Sequence, residues 1–187
     1  MPIPILQGNP TNAAVWEGGN VYVAFTADTP SPAIPADIDS FLGADWHALG
    51  VLNPSTGVGE SATQNVTKHY GWGFGAIKET EKEHEVVIDF TAREDNPTVR
   101  RLSYPATASG APAGTVRFGP AEPAFIAVEF MEGAKAKRFI SRAASKVRRN
   151  GATQRNEDNL EEVPFQASIL PDEHGHWIIQ ETGVSSS

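Results

Sequence analysis

Short runs of β-branched and aromatic residues, separated by glycine and proline, are the feature that most constrains the fold of this chain. The 187 residues include 17 glycines and 14 prolines, which lie mainly between these runs. Both residues mark turns and interrupt long helices, so the pattern predicts many strands joined by plentiful loops. Hydrophobic residues make up 40% of the chain and charged residues 20%, a balance that supports a packed core. We therefore expect one mainly β domain over residues 1–187.

Alternation of apolar and polar residues locates the individual strands. The clearest lies at 79–92, where Val86, Ile88 and Phe90 fall on one face. Further strands are predicted at 20–26, 115–118, 125–131, 163–169 and 177–181, with a turn at 171–175.

Two short helices are expected to flank the sheet. One is predicted at 34–43, with Pro35 in its first turn and Gly43 after its end. The other opens at Pro97 behind an Asp95 or Asn96 cap. The segment 43–70 is rich in Gly, Ser, Thr and Asn and poor in periodicity, which predicts a long loop with strand at both ends.

The segment 135–149 is compatible with either helix or strand. As a helix it presents an apolar stripe that includes Phe139, Ile140 and Val147. As a strand it places Phe139 on one side and Arg138 with Ile140 on the other. Periodicity alone favours the helix.

Charge is segregated along the chain. Residues 1–67 carry six acids and no lysine or arginine, 133–155 carry eight bases and no acid, and 156–187 carry seven acids and no base. Such blocks suit either internal neutralisation or complementary faces on neighbouring subunits. The basic candidates for a subunit interface are Lys135, Lys137, Arg138, Arg142, Lys146 and Arg148. A separate acidic row on the predicted strand 79–92 consists of Glu81, Glu83, Glu85 and Asp89.

Motifs that could carry chemistry are few. Gly71-Trp72-Gly73-Phe74-Gly75-Ala76 has the spacing of a dinucleotide fingerprint but lacks the buried strand before it and the helix after it. His174-Gly175-His176 offers two imidazoles, which in this sequence are typical of an exposed turn. The chain has no cysteine. We therefore expect no enzymatic activity, no metal and no cofactor.

Several short motifs in a fixed order resemble one protein family. They are Asp45-Trp46-His47-Ala48-Leu49-Gly50, Gly57, then Gly71-Trp72-Gly73 with Ile77, and a strand through Phe90 into Glu94-Asp95-Asn96-Pro97 and a short helix. In this order, over roughly residues 40–180, the chain resembles the tail tube, or major tail, proteins of siphophages.

The resemblance implies a β-barrel or sandwich with a flanking helix, closed into hexameric rings that stack into a tube for genome DNA. It implies that 135–147 is a strand and that a long loop, 43–70 in the widest bounds, reaches the next ring. The inter-ring candidates are Trp46, Leu49, Gly50, Gly57 and Trp72. The implied partners are other copies of the chain, tape measure, tail terminator and tail tip proteins, and DNA that passes without being held.

A conduit for DNA should not bind phosphate, so the acidic row is the candidate lining of the lumen. The resemblance also implies a location in the virion tail after synthesis in the host cytoplasm. Residues 1–19 are expected to form an N-terminal arm without signal-peptide features, and 182–187 a frayed end. The chain contains no stretch of 18 apolar residues, so we expect no membrane binding.

There are two alternatives to the siphophage tail tube. One is a tube protein of a contractile injection or secretion system, and the other is a monomeric β-sandwich binding module.

Overall fold

Nine strands and one helix form the part of the chain that the computed structural model describes, residues 14–107, 112–153, 155, 157 and 160–182, without the Glu83 side chain. The elements are β1 Gly18–Phe25, β2 His47–Ala48, β3 Val58–Tyr70, β4 Ala76–Ala92, α1 Pro97–Ser103, β5 Pro123–Glu132, β6 Lys135–Ser141, β7 Ser145–Arg149, β8 Val163–Ile169 and β9 Trp177–Glu181. The expected mainly β class is confirmed. Residues 1–13 of the predicted N-terminal arm and 183–187 of the predicted frayed end lie outside the described residues.

The strands pack as two antiparallel layers that share β5. The first layer runs β2-β1-β5-β6-β9, and the second runs β7-β8-β4-β3. The start of β5 pairs with β7 at Ala124 and Ser145, whereas its end pairs with β6. Within the described residues β2, β3 and β9 are each paired on one side only, so the two-layer sandwich is not closed. The cleft between β3 and β9 is its open side.

The core lies between the two layers. Val21, Val23 and Ile126 from the first layer meet Phe90 and Phe165 from the second. The Phe90 and Phe165 rings pack with their centroids 5.8 Å apart. This burial of alternate residues on one face explains why the strands at 20–26, 125–131, 163–169 and 177–181 were predicted where they occur.

Helix α1 closes one end of the core with Val99 and Leu102. The Asn96 side chain accepts a hydrogen bond of 2.9 Å from the Val99 amide, and Pro97 occupies the first turn. The predicted cap and helix are confirmed, because the cap satisfies an amide that the short helix cannot bond itself.

The segment 29–46 covers the outer face of the first layer without forming a helix. The predicted helix at 34–43 is wrong because its polar groups bond elsewhere. The Asp37 carboxylate accepts from the Ser40 amide at 2.9 Å and from the Ser40 hydroxyl at 2.7 Å. The main-chain carbonyls of Asp37 and Ser40 accept from the Arg138 guanidinium at 3.1 and 3.0 Å. These bonds replace the ladder that a helix would need.

Three further predictions are revised by the sheet. The segment 135–149 forms two strands, β6 and β7, so the helix favoured by periodicity is wrong and the strand implied by the resemblance is confirmed. The segment 43–70, predicted as a long loop with strand at both ends, has β2 near one end and β3 at the other, and β3 is long enough to leave only 49–57 between them. Residues 115–118 join no ladder; the Arg117 carbonyl instead accepts from the Ala106 amide at 3.2 Å.

Candidate assembly surfaces

Strands β3 and β4 extend beyond the sandwich as a two-stranded ribbon. Strand β8 pairs with β4 only from Val86 to Ala92, so from Glu85 to Ala76 the only partner of β4 is β3. We call residues 63–85 the arm. At about 3.3 Å per residue, its free part is about 30 Å long. Nearly every described side chain in it is exposed, so the arm has no packing support from its own domain.

The end of the arm carries an exposed apolar cluster. The turn Gly71–Gly75 is closed by a 3.1 Å hydrogen bond from the Phe74 amide to the Gly71 carbonyl, and Gly73 has a φ of 76°. Trp72 is fully exposed and Phe74 is 77% exposed. The tip cluster consists of Tyr70, Trp72, Phe74 and Ile77, all of them exposed. The glycine fingerprint is therefore a hairpin turn between two strands, without the helix that a nucleotide site requires.

A β-bulge divides the predicted acidic row between two faces. The register passes from Thr63 opposite Glu85 to Asn65 opposite Lys82, so β4 contains one extra residue at 83–84. Beyond the bulge Glu81 pairs with Val66, which lies on the core-facing side together with Ala62. Glu85 and Asp89 lie on the opposite side, and the Glu83 side chain is outside the described residues. The predicted single acidic stripe is therefore wrong.

Most of the basic interface candidates are already paired inside the chain. Arg142 pairs with Asp172 at 3.4 Å, Lys135 with Glu132 at 3.8 Å, and Lys137 with Glu181. Among the two explanations for the charge blocks, these pairs favour internal neutralisation.

Arg138 is a structural residue of the domain. Its side chain is 4% exposed and forms a salt bridge of 2.6 Å with Glu129. It also donates to the Gln180 side chain at 2.9 Å and to the carbonyls of 29–46 described above. Its assignment to an exposed subunit interface is wrong.

Lys146 and Arg148 lie on the same face as Glu85 and Asp89, the acidic residues predicted to line the lumen. Arg148 pairs across β8 with Gln166, and Gln166 pairs with Asp89. With strands about 4.8 Å apart, the two charges are separated by roughly 10 Å. Asp89 accepts from Gln166 at 3.0 Å, and Glu85 accepts from the Ser168 hydroxyl at 2.9 Å. The outer face of the second layer is therefore polar and of mixed charge.

The inter-ring candidates separate into core residues and surface residues. Leu49 is fully buried and Trp46 nearly so, with the Trp46 Nε1 donating to the Ala33 carbonyl at 3.1 Å. Their assignment as interface residues is wrong. Trp72 lies at the tip of the arm, and Gly57, with a φ of 57°, shapes the turn into β3.

Two of the motifs behind the family resemblance contact each other. Gly50 has a φ of 80°, and a Cβ there would lie 2.0 Å from the Glu94 carboxylate. That carboxylate accepts from the Val51 amide at 3.1 Å, and the Asn96 side chain donates to the Leu49 carbonyl at 2.9 Å. The Leu49-Gly50 and Glu94-x-Asn96 motifs thus connect the chain after β2 to the link between β4 and α1.

The open side of the sandwich forms an apolar cleft that sequence reasoning did not identify. We call it the mouth; its volume is about 200 Å³ and it is lined by Val58, Glu60, Ile88, Val128, Phe130, Phe139 and Trp177. The Phe139 ring packs edge-on against Phe130 at 6.1 Å and against Trp177 at 6.0 Å. An adjoining cleft of about 350 Å³ shares Val58 and Phe130 and includes Glu17. The mouth is built by the hairpins β3–β4 and β5–β6 together with β9, and no local sequence pattern connects these three parts.

Of the two histidines, His174 lies in an exposed tight turn, whereas His176 follows the turn and is half-buried. The Asp172 amide donates to the Gly175 carbonyl at 2.9 Å, which confirms the predicted turn. Among the described residues, no group of three or more histidine, aspartate or glutamate residues is placed to hold a metal ion. No helix in the same part of the chain is long and apolar enough to cross a membrane.

A scan against models of protein families and a search of curated proteins found no match to the chain.

Proposed function

We propose that the chain is a structural subunit that acts by assembling with copies of itself, as the tail tube protein of a siphophage. The observation that carries this proposal is the arm, a ribbon about 30 Å long that leaves the domain and ends in four exposed apolar side chains. Beyond Glu85 at its base, which accepts from the Ser168 hydroxyl, the described side chains of this ribbon are almost all exposed.

Elementary energetics support a partner for the arm. A two-stranded hairpin is at best marginally stable in water on its own, because it buries too little apolar surface. Contiguous exposed apolar residues mark an interaction surface more often than a free one. The unpaired edges of β3 and β9 are also templates for pairing with another chain.

The tail tube identity rests on the ordered motifs and is supported by the mainly β sandwich with one flanking helix. In this proposal hexameric rings stack through the arm into the virion tail, after synthesis in the host cytoplasm. The tube encloses the tape measure protein, and the terminator and tip proteins bind its two ends. During ejection the tube conducts double-stranded DNA.

The outer face of the second layer is the better candidate for the lumen wall. The corresponding face of the first layer is covered by 29–46, whereas the face with Glu85, Asp89, Lys146 and Arg148 is open. Acids near the bases reduce phosphate binding there, because fewer counterions are released when DNA approaches.

A monomeric binding module is the second candidate, and the mouth is the observation that favours it. A tube subunit of a contractile injection or secretion system would satisfy the same observations as the first. Self-assembly separates the binding module from both tube proteins.

The test is microscopy and light scattering of the purified full chain beside a variant with a shortened arm. Residues 64–84 are replaced by Asn-Gly, which closes a two-residue hairpin between the paired Thr63 and Glu85. We expect rings and tubes from the natural chain, and rings without stacking from the variant. A control with Phe41→Ser changes an exposed apolar residue outside the arm and should stack normally.

Two outcomes would contradict the proposal. One is a natural chain that stays at its monomer mass of 20.0 kDa at high concentration, even beside other tail components. The other is normal tubes from the shortened variant, which would remove the arm from the stacking contact.

A further inference from the structure

We infer that the tip cluster of one subunit inserts into the mouth of a second copy of the chain. This inference rests on the proposed function and names the acceptor surface that the arm requires. The acceptor is the apolar cleft between Val58 and Ile88 on one side and Phe130, Phe139 and Trp177 on the other.

The two surfaces match in chemistry. The tip offers three exposed aromatic rings and one isoleucine, and the mouth offers a wall of three aromatic rings packed edge-on or tilted. Aromatic pairs in these arrangements add to the free energy gained from burial. Inserting Trp72 and Phe74 would remove the most exposed apolar side chains of the arm from water.

The charges around the two surfaces are complementary. Beside the tip cluster the ribbon carries Lys68, His69 and Lys78, with Glu79 opposite Lys68, and all four side chains are exposed. Two lysines against one glutamate leave this flank with a small positive charge. Glu60 lines the mouth and Glu17 lines the adjoining cleft, and both are exposed. Opposite charges at the rim of an apolar contact select orientation and accelerate association.

The contact must form between two chains. Val58 in the mouth and Tyr70 at the tip are the two ends of β3, so one strand holds them about 40 Å apart. A subunit therefore cannot fill its own mouth while β3 is intact. A tip on one copy and a mouth on the next make a head-to-tail contact, which propagates instead of closing as a pair.

The experiment places a photo-crosslinking amino acid at the tip of the full chain. Trp72 is replaced by p-benzoylphenylalanine, the assembled protein is irradiated, and the cross-linked peptides are identified by mass spectrometry. We expect intermolecular products with the peptides that contain Val58, Phe139 or Trp177. The matched control carries the same amino acid at the exposed Phe41 and should give none of these products.

Cross-linking of position 72 to another surface, including residues 1–13, would overturn the inference. Should the Trp72 variant fail to assemble, the reciprocal variant carries the probe at Ile179, which lies beside Phe139 and is 53% exposed, and is expected to capture residues 70–77. Micrographs of the same samples and of the natural chain distinguish a wrong acceptor surface from a wrong proposed function. Tubes without these products refute the mouth as the acceptor, whereas the absence of any assembly by the natural chain refutes the proposed function.

A charge change gives an independent readout. Glu60→Lys places a base at the rim opposite the basic flank of the tip, and we expect the concentration needed for assembly to rise at least about tenfold. Asp39→Lys, an exposed acid in 29–46 outside both the arm and the mouth, is the control and should shift it much less. Equal shifts from the two variants would contradict the assigned site.

Discussion

The sandwich and the arm are parts of one antiparallel sheet, yet different interactions hold them. In the sandwich each strand buries one face, and even a guanidinium, that of Arg138, is enclosed with acceptors for its donors. In the arm the same ladder of main-chain hydrogen bonds continues between two strands with both faces in water. Main-chain pairing alone therefore gives the arm its direction, while side-chain burial gives the sandwich its stability.

The sharpest test of this difference is Arg138→Ala in the sandwich. Removal of the cation leaves Glu129 partly buried without its partner and frees the carbonyls of 29–46, so we expect a loss of about 3–5 kcal/mol in the free energy of unfolding. Urea denaturation of the dissociated subunit measures it. Arg148→Ala, on the open face, should change this free energy by no more than about 0.5 kcal/mol. A similar effect from both variants would contradict the structural role of Arg138.

An intermediate effect is expected at Arg101, where α1 meets β1. Its guanidinium bonds Glu122 at 2.6 Å and Asp28 at 2.5 Å and lies 3.8 Å above the Phe25 ring. Arg101→Met should lower the free energy of unfolding by about 1–3 kcal/mol at neutral pH. Arg100→Met, on the exposed side of the same helix, is the control and should have a much smaller effect.

The Arg101 effect should also depend on pH. Its hydrogen bond to Asp28 holds the pKa of that carboxyl below its ordinary value of about 4. The carboxylate therefore contributes stability above the ordinary value, and this contribution is lost as pH falls through the lowered pKa. The difference between the natural chain and Arg101→Met should shrink from pH 5 to pH 2. A difference that stays constant over this range would show that the ion pair with Asp28 contributes little.

The smallest effect on folding is expected in the arm. Trp72→Ser should change the free energy of unfolding by no more than about 0.5 kcal/mol, because the side chain has no contacts to lose within its own domain. Hydrogen exchange sharpens the comparison: amides of 63–70 and 76–85 should exchange much faster than those of β1 and β8 in the dissociated subunit. Assembly should slow exchange at 70–77 in particular. Equal protection of the arm and the sandwich before assembly would contradict the distinction between them.

The parts of the fold that could be predicted from the sequence are those with one buried face. Strands β1, β5 and β8 were predictable because their inner residues are buried and apolar, and β9 because of its β-branched and aromatic composition. Asn96 and Pro97 mark the start of α1. Strand β3 was predicted only as the end of a loop, without bounds, because both of its faces are largely polar and its sequence shows no clear alternation. The helix predicted at 34–43 failed because the carbonyls there bond Arg138, a residue about a hundred positions away.

The candidate site was predictable only in part. Trp72 was found through its motif, and the structure places it at the tip of the arm. The acidic row failed because a bulge near Glu83 changes the face that follows it, and periodicity within one strand does not reveal a bulge. The mouth could not be predicted from the sequence, because Phe130, Phe139 and Trp177 come together only when their strands pair.

The mixed charge on the open face has a consequence for motion along it. Cations and anions roughly 10 Å apart are separated by about one screening length at physiological salt, so their fields cancel a short distance above the surface. Such a face is strongly hydrated and nearly neutral to an approaching polymer. A stiff polyanion sliding over it would meet a lubricating layer of water, with little friction from attraction and little energy lost to repulsion.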